Sequence, residues 1–134
     1  MSVDPQLLKT VQQLVAEVLG AEPDEVTPDS LFDADLGGES IDLLDLGFRC
    51  ERELKVRVRF QDLASQDLTV NPDGTLTRDA LNRLQERFPR VDVGRWEGRH
   101  FARPLELLTV ADVAAIVEGE QQAARAAIEA PQVD

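Results

Sequence analysis

At 134 residues the chain is the length of one domain, and 43% hydrophobic residues suffice for a core that must be aliphatic, because only 4% are aromatic. A formal net charge of −12 and a pI near 4.4 exclude a nucleic-acid binder, which needs Lys and Arg for phosphate contacts, and favour basic protein surfaces as partners. One cysteine, Cys50, excludes an internal disulfide and a multi-cysteine zinc site; without a signal-peptide pattern or a bilayer-length apolar run, the expectation is a cytoplasmic protein that is not membrane-embedded.

Asp4 followed by Pro5 predicts a helix start, with an acid at the N-cap and proline where its missing N–H costs nothing. Leu7, Leu8, Val11, Leu14, Val15, Val18 and Leu19 follow at helical spacing, and Gly20 supplies the stop. Residues 21–39 form a long connection rich in Pro, Asp and Gly, with Val26, Leu31, Phe32 and Leu36 placed to pin it to a core. It ends in Gly37-Gly38-Glu39-Ser40, a glycine turn running into a serine whose hydroxyl suits an N-cap. A second helix then runs to about Leu54. Leu44, Cys50 and Leu54, with Ile41 and Leu46 beside them, are expected on its inward side, and Asp42, Asp45, Glu51 and Glu53 on its outer side. Gly47 weakens this helix by roughly 1 kcal/mol relative to Ala.

Val56 to Phe60 alternates apolar and basic residues, as a short strand or an extended exit would. Gln61 to Gln66 has the length of one helical turn, and Leu68 to Thr77 reads as two short arms around a Pro-Asp-Gly turn, a small hairpin. Thr77 caps a third helix with Leu81, Leu84 and Phe88 on its apolar side, ended by Pro89 and stapled by Leu76 against Leu81. Residues 90–104 read as irregular, anchored by Val91, Val93, Trp96 and Phe101. Thr109 and Asp112 have capping-box spacing before a fourth helix with Val113, Ile116 and Val117, and residues 120–134 are a helical or frayed tail. Charge divides the chain as well: residues 1–58 hold thirteen acids and five bases, residues 59–104 seven and eight, and residues 105–134 six and one.

Ser40 has little claim to be a nucleophile. Gly38-Glu39-Ser40-Ile41-Asp42 lacks the second glycine of a nucleophile elbow, and the sole histidine, His100, lies in the Arg-rich middle block. Cys50, mid-helix among apolar neighbours, reads as a small buried hydrophobe. Asn71, Asp73 and Gly74 fall in a calcium-loop register, but Thr69 and Ala80 stand where the first carboxylate and the bidentate Glu belong, so a plain turn is expected and no metal site. Ser40 is then either an ordinary cap or a residue modified by another enzyme. An attached phosphodiester would sit where a helix N-terminus favours an anion, while the nearby carboxylates would serve to dock basic partners.

Leu31 to Leu46, with Asp35-Leu36-Gly37-Gly38-Glu39-Ser40-Ile41-Asp42 at its centre, resembles the attachment motif of acyl carrier proteins, which reads roughly D-L-G-x-D-S-L-D before an acidic helix. The likeness extends back over Leu7 to Leu19 and resumes at Leu108-Thr109-Val110-Ala111-Asp112-Val113, covering about residues 4–58 and 105–118. It implies an all-α, acyl-carrier-like four-helix bundle with a long first loop: one domain over residues 1–134, carrying residues 59–104 as an insertion with a small hairpin and an extra helix. The resemblance makes Ser40 the residue that carries 4′-phosphopantetheine from coenzyme A, with the arm's thiol holding acyl groups as thioesters. It places Glu39, Asp42, Asp45, Phe48 and Glu51 at partner contacts, and Leu44, Leu46, Cys50 and Leu54 along an acyl pocket. Expected partners are a phosphopantetheinyl transferase and the acyl-loading, chain-extending and acyl-transferring enzymes of fatty acid, lipid or polyketide-type biosynthesis, met by a monomer that does no catalysis. Glu39 and Ile41 depart from the usual Asp and Leu around the serine. The middle block is similar to the enlarged segment of specialised long carriers, some of which serve very long acyl chains. Two other readings remain open on the residues: a non-enzymatic adaptor that binds partners through its acidic second helix, and a small hydrolase.

Overall fold

The computed structural model describes residues 3–58, 60, 71–100 and 104–129. Helix α1 spans Pro5–Leu19: the Asp4 carboxylate accepts from the Leu7 N–H at 3.1 Å, and Gly20 closes the helix at φ 67, a left-handed conformation glycine adopts without strain. Its buried face is Leu7, Val11, Leu14 and Val15, and it packs on both α2, Ser40–Leu54, and α4, Val110–Glu129. Between these two in chain order comes α3, Arg78–Arg87, capped by the Thr77 hydroxyl, which accepts from the Ala80 N–H at 3.1 Å. The described residues are thus all-α, with four α-helices, short 3₁₀ turns at Pro23–Glu25, Val93–Trp96 and Pro104–Leu107, and no strand beyond two isolated antiparallel bridges.

The long first loop is fastened to the start of α4. Leu31 bridges Thr109, the Phe32 N–H donates to the Leu108 carbonyl at 2.9 Å, and the Val110 and Ala111 N–H groups donate to Ser30 and Pro28. Its last turn then wraps the Phe32 ring. The Gly38 N–H returns to the Phe32 carbonyl at 2.8 Å, and a Cβ on Gly38 would lie 2.2 Å from the ring. Gly37 supplies the positive φ of 71 that the turn needs; Gly38 is required by contact instead.

Helix α2 turns Leu46 and Cys50 inward as expected, but Leu43 completes the buried stripe in place of Ile41 and Leu44. Leu43, Leu46 and Cys50 are wholly buried, whereas Ile41 is 70% and Leu44 45% exposed. Steps of three and four put Leu43, Leu46 and Cys50 on one stripe of the helix, and Ile41, Leu44 and Phe48 on another. Leu54 packs partly buried against the core.

After α2 the described residues form no strand; Val56, Val58 and Phe60 are buried and Arg57 is exposed. The chain crosses α2 here so closely that a Cβ on Gly47 would meet the Val58 carbonyl at 3.0 Å. This contact explains a glycine that helix propensity alone disfavours. The expected turn at Gln61–Gln66 and the first hairpin arm lie outside the described residues, as do Leu63, Leu68 and Phe101. Of the hairpin, the Asn71–Thr75 turn is present, but Thr75 bridges His100. Leu81, Leu84, Phe88, Val91, Val93 and Trp96 join the same core cluster as α1, α2 and α4.

Arginines fasten this middle block to α4: Arg90 to Glu118 at 2.7 Å, Arg87 to Glu120 at 3.2 Å and Arg95 to Asp112 at 2.6 Å. The capping box expected at Thr109 and Asp112 is reciprocal, with the Thr109 N–H donating to Asp112 at 3.0 Å and the Asp112 N–H to Thr109 at 3.1 Å. Helix α4 continues past Gly119 to Glu129, so this part of the tail is helical.

Replacing Gly38 by Ala should overpack the Phe32 site and destabilise the protein by about 1–3 kcal/mol in urea unfolding. An unchanged midpoint would show that the loop yields there at no cost.

Candidate functional site

Ser40 sits where the wrapped loop becomes α2. The residue with extended backbone before the helix is Glu39, at φ −120 and ψ 174, so Ser40 is the first helical residue and not the cap its type predicts. The boundary moves by one because Asp42 reaches back, its Oδ2 accepting from the Glu39 N–H at 2.8 Å, while the Leu43 and Asp42 N–H groups use the Glu39 carbonyl. Ser40 is partly exposed.

The residues expected at partner contacts divide by what they already touch. Glu39, Asp45, Phe48 and Glu51 are exposed, Phe48 by 62%. Asp42 is half-buried and partly occupied by its capping bond. Asp45 lies 3.6 Å from Arg49, whose guanidinium also reaches Glu17 of α1 at 3.2 Å. Ile41, Leu44 and Phe48 add an exposed apolar line among these acids, a feature hidden by reading Ile41 and Leu44 as inward residues.

The proposed pocket residues do not share one environment. Leu46 and Cys50 are wholly buried, Leu54 is half-buried and Leu44 faces outward, so Leu44 is removed from any interior lining. Burial pushes the Cys50 thiol up to about 12. In the middle block, the Asp73 carboxylate is occupied by its own turn, accepting from the Thr75 hydroxyl at 2.7 Å and amide at 3.0 Å; these bonds hold it below the usual carboxylate range.

A family model described as a phosphopantetheine attachment site matches residues 9–71, a span that includes Ser40 and its turn. An acyl carrier protein of Cyanidioschyzon merolae is 33% identical over 67 residues, half of this chain and 71% of the relative. One of Treponema denticola is 38% identical over 52 residues, 39% of this chain and 67% of the relative. The chain belongs to the acyl carrier protein family. No solved structure matches it.

Membership makes this a carrier and not a catalyst, with 4′-phosphopantetheine as its prosthetic group and a transferase and biosynthetic enzymes as its partners. Among the described residues no helix is long and apolar enough to cross a membrane. The residues fit such a group: a partly exposed serine at the first position of a 15-residue helix, reached by a turn tied down on both sides, with the first-turn carboxylate drawn back toward Glu39.

The Cys50 environment gives a direct check. In protein without the arm, an aromatic disulfide reagent at pH 8 should leave Cys50 unmodified and react promptly once denaturant is added. The native state keeps a proton that the unfolded chain releases near pH ~8.5, so stability should fall as pH rises from there toward 12. Prompt reaction of the folded protein would contradict this burial.

Proposed function

We propose that Ser40 is the residue to which phosphopantetheine is attached, and that the protein presents acyl thioesters on this arm to enzymes of fatty acid, lipid or polyketide-type biosynthesis. One observation carries the assignment: Ser40 opens α2 at the end of a loop fixed both to Phe32 and to the start of α4. When bound, the arm supplies the thiol on which an acyl group is held. The chain's own part is to present Ser40 at the start of α2 and to offer docking contacts. We assign these to Glu39, Asp42, Asp45, Phe48 and Glu51, where exposed carboxylates suit basic surfaces.

Residues 1–134 are read as one carrier domain with residues 59–104 inserted, the insertion being held by its arginines on α4. The inserted block is the basis for proposing the specialised long form of the family. Leu46, Cys50 and Leu54 remain the candidates for contact with a sheltered acyl chain. Such a chain needs the core to open, because Leu46 and Cys50 have no exposed surface.

Incubation with coenzyme A and a phosphopantetheinyl transferase, followed by intact mass measurement, tests the attachment. The mass should rise by one phosphopantetheine, and the rise should vanish in Ser40→Ala. No gain, or a gain that survives the substitution, overturns the assignment. Reversing Glu51 to Lys should lower kcat/KM of the transfer severalfold at low salt and less at high salt, as expected of a steering charge.

A further inference from the structure

Helix α2 carries one outward line of side chains whose chemistry changes from end to end. Ile41, Leu44, Phe48, Arg52 and, at the C-cap, Lys55 are separated by three, four, four and three residues, so they share one stripe, and all five are exposed. Charge divides along the same line. Residues 39–48 hold three acids, Glu39, Asp42 and Asp45, and no base. Residues 49–58 hold four bases, Arg49, Arg52, Lys55 and Arg57, against two acids, Glu51 and Glu53. Arg49 is turned aside to Asp45 and Glu17. Glu51 and Glu53 precede and follow Arg52, so they lie about 100° round the helix from it on opposite flanks. Asp42 and Arg52 are about 15 Å apart along the axis, well beyond the screening length of about 8 Å at physiological salt. An approaching surface therefore meets a negative end and a positive end separately.

Cations in the last turn of a helix are ordinary, because they answer its dipole. Two observations go beyond that. Lys55 caps α2 at φ 58 and is, among the described residues, the only one besides glycines with a positive φ, at a position where glycine is free of strain. Its ammonium uses one of three donors on the Arg52 carbonyl, at 3.0 Å. Arg57 lies beyond the helix, yet it lines one groove with Leu44, Phe48 and Glu51, and among the described residues its guanidinium has no partner. The Arg52 guanidinium reaches Glu53 at 3.4 Å, an exposed pair that contributes little. The arginines of the middle block are paired with α4, whereas these three cations face outward.

We propose that the docking face of α2 is bipolar. Its partner enzymes set basic groups against Glu39, Asp42 and Asp45, an apolar hollow against Ile41, Leu44 and Phe48, and carboxylates against Arg52, Lys55 and Arg57. This rests on α2 as the docking helix and Ser40 as the attachment residue. The polarity fixes the direction of docking: an enzyme turned end for end brings like charges together at both ends. Only one orientation then carries Ser40 to the active site.

The test uses the phosphopantetheinyl transferase of the protein's own host. Arg52→Glu/Lys55→Glu/Arg57→Glu should lower kcat/KM for arm transfer about tenfold at low salt, with a smaller loss at high salt. A surface that recognises acids alone would transfer faster to this variant, so an equal or higher kcat/KM overturns the bipolar face and leaves Ser40 as the attachment residue. A wild-type protein that gains no phosphopantetheine mass overturns both. A second measurement does not depend on the variant's folding. The chain has two lysines, Lys9 and Lys55. Zero-length carbodiimide coupling of the wild-type protein with the transferase should join Lys55 to a transferase carboxylate. Links that run only from this chain's carboxylates to transferase lysines, or no link through Lys55, overturn the proposal.

Discussion

The Phe32 ring, buried in an acidic loop with Gly38 laid against it, sets the position of Ser40. Burying a side chain of this size is worth about 1.5–3 kcal/mol, and here it draws in a segment that otherwise carries Asp29, Asp33 and Asp35 at or near the surface. The Phe32 amide is spent on the Leu108 carbonyl and its own carbonyl on the Gly38 amide, so the ring is fixed from both ends of its turn. Two residues later the chain enters α2. The serine is therefore placed by contacts with the far end of the sequence as much as by its own helix.

Charge follows a related division. Asp112, Glu118 and Glu120 of α4 are met by arginines of the middle block, with Glu118 also accepting from the Asp4 amide at 2.9 Å, so these acids are neutralised by their own chain. The outer face of α2 is treated differently. Glu39 and Glu51 are exposed, and Asp45 has only the 3.6 Å contact with Arg49. The acidic face of α2 beside Ser40 is thus left available for basic partners, with an apolar line through Ile41, Leu44 and Phe48 for close contact.

Much of this was legible in the sequence where a residue acts locally. Asp4 with Pro5, Thr77, and the Thr109–Asp112 pair each cap the helix their spacing announces. What escaped depends on distant partners. Four apolar residues among the six from Ile41 to Leu46 do not define a phase, so Leu44 reads as inward until the packing of α2 on α1 leaves Leu43 and Leu46 buried. Gly47 looks like a defect until Val58 is seen crossing it, and Gly38 like a hinge until Phe32 is found beneath. The arginine pairs join residues 17 to 33 positions apart, and no local pattern marks them.

Hydrogen exchange at the Phe32, Gly38 and Val110 amides tests most directly whether this loop is a fixed support for Ser40. These three donate to Leu108, Phe32 and Ser30. They should exchange only as slowly opening as the buried amides of α1 and α2, because releasing the loop exposes Phe32. Exchange at the rate of an open loop, with α1 and α2 still protected, would contradict the account and leave Ser40 on a tether.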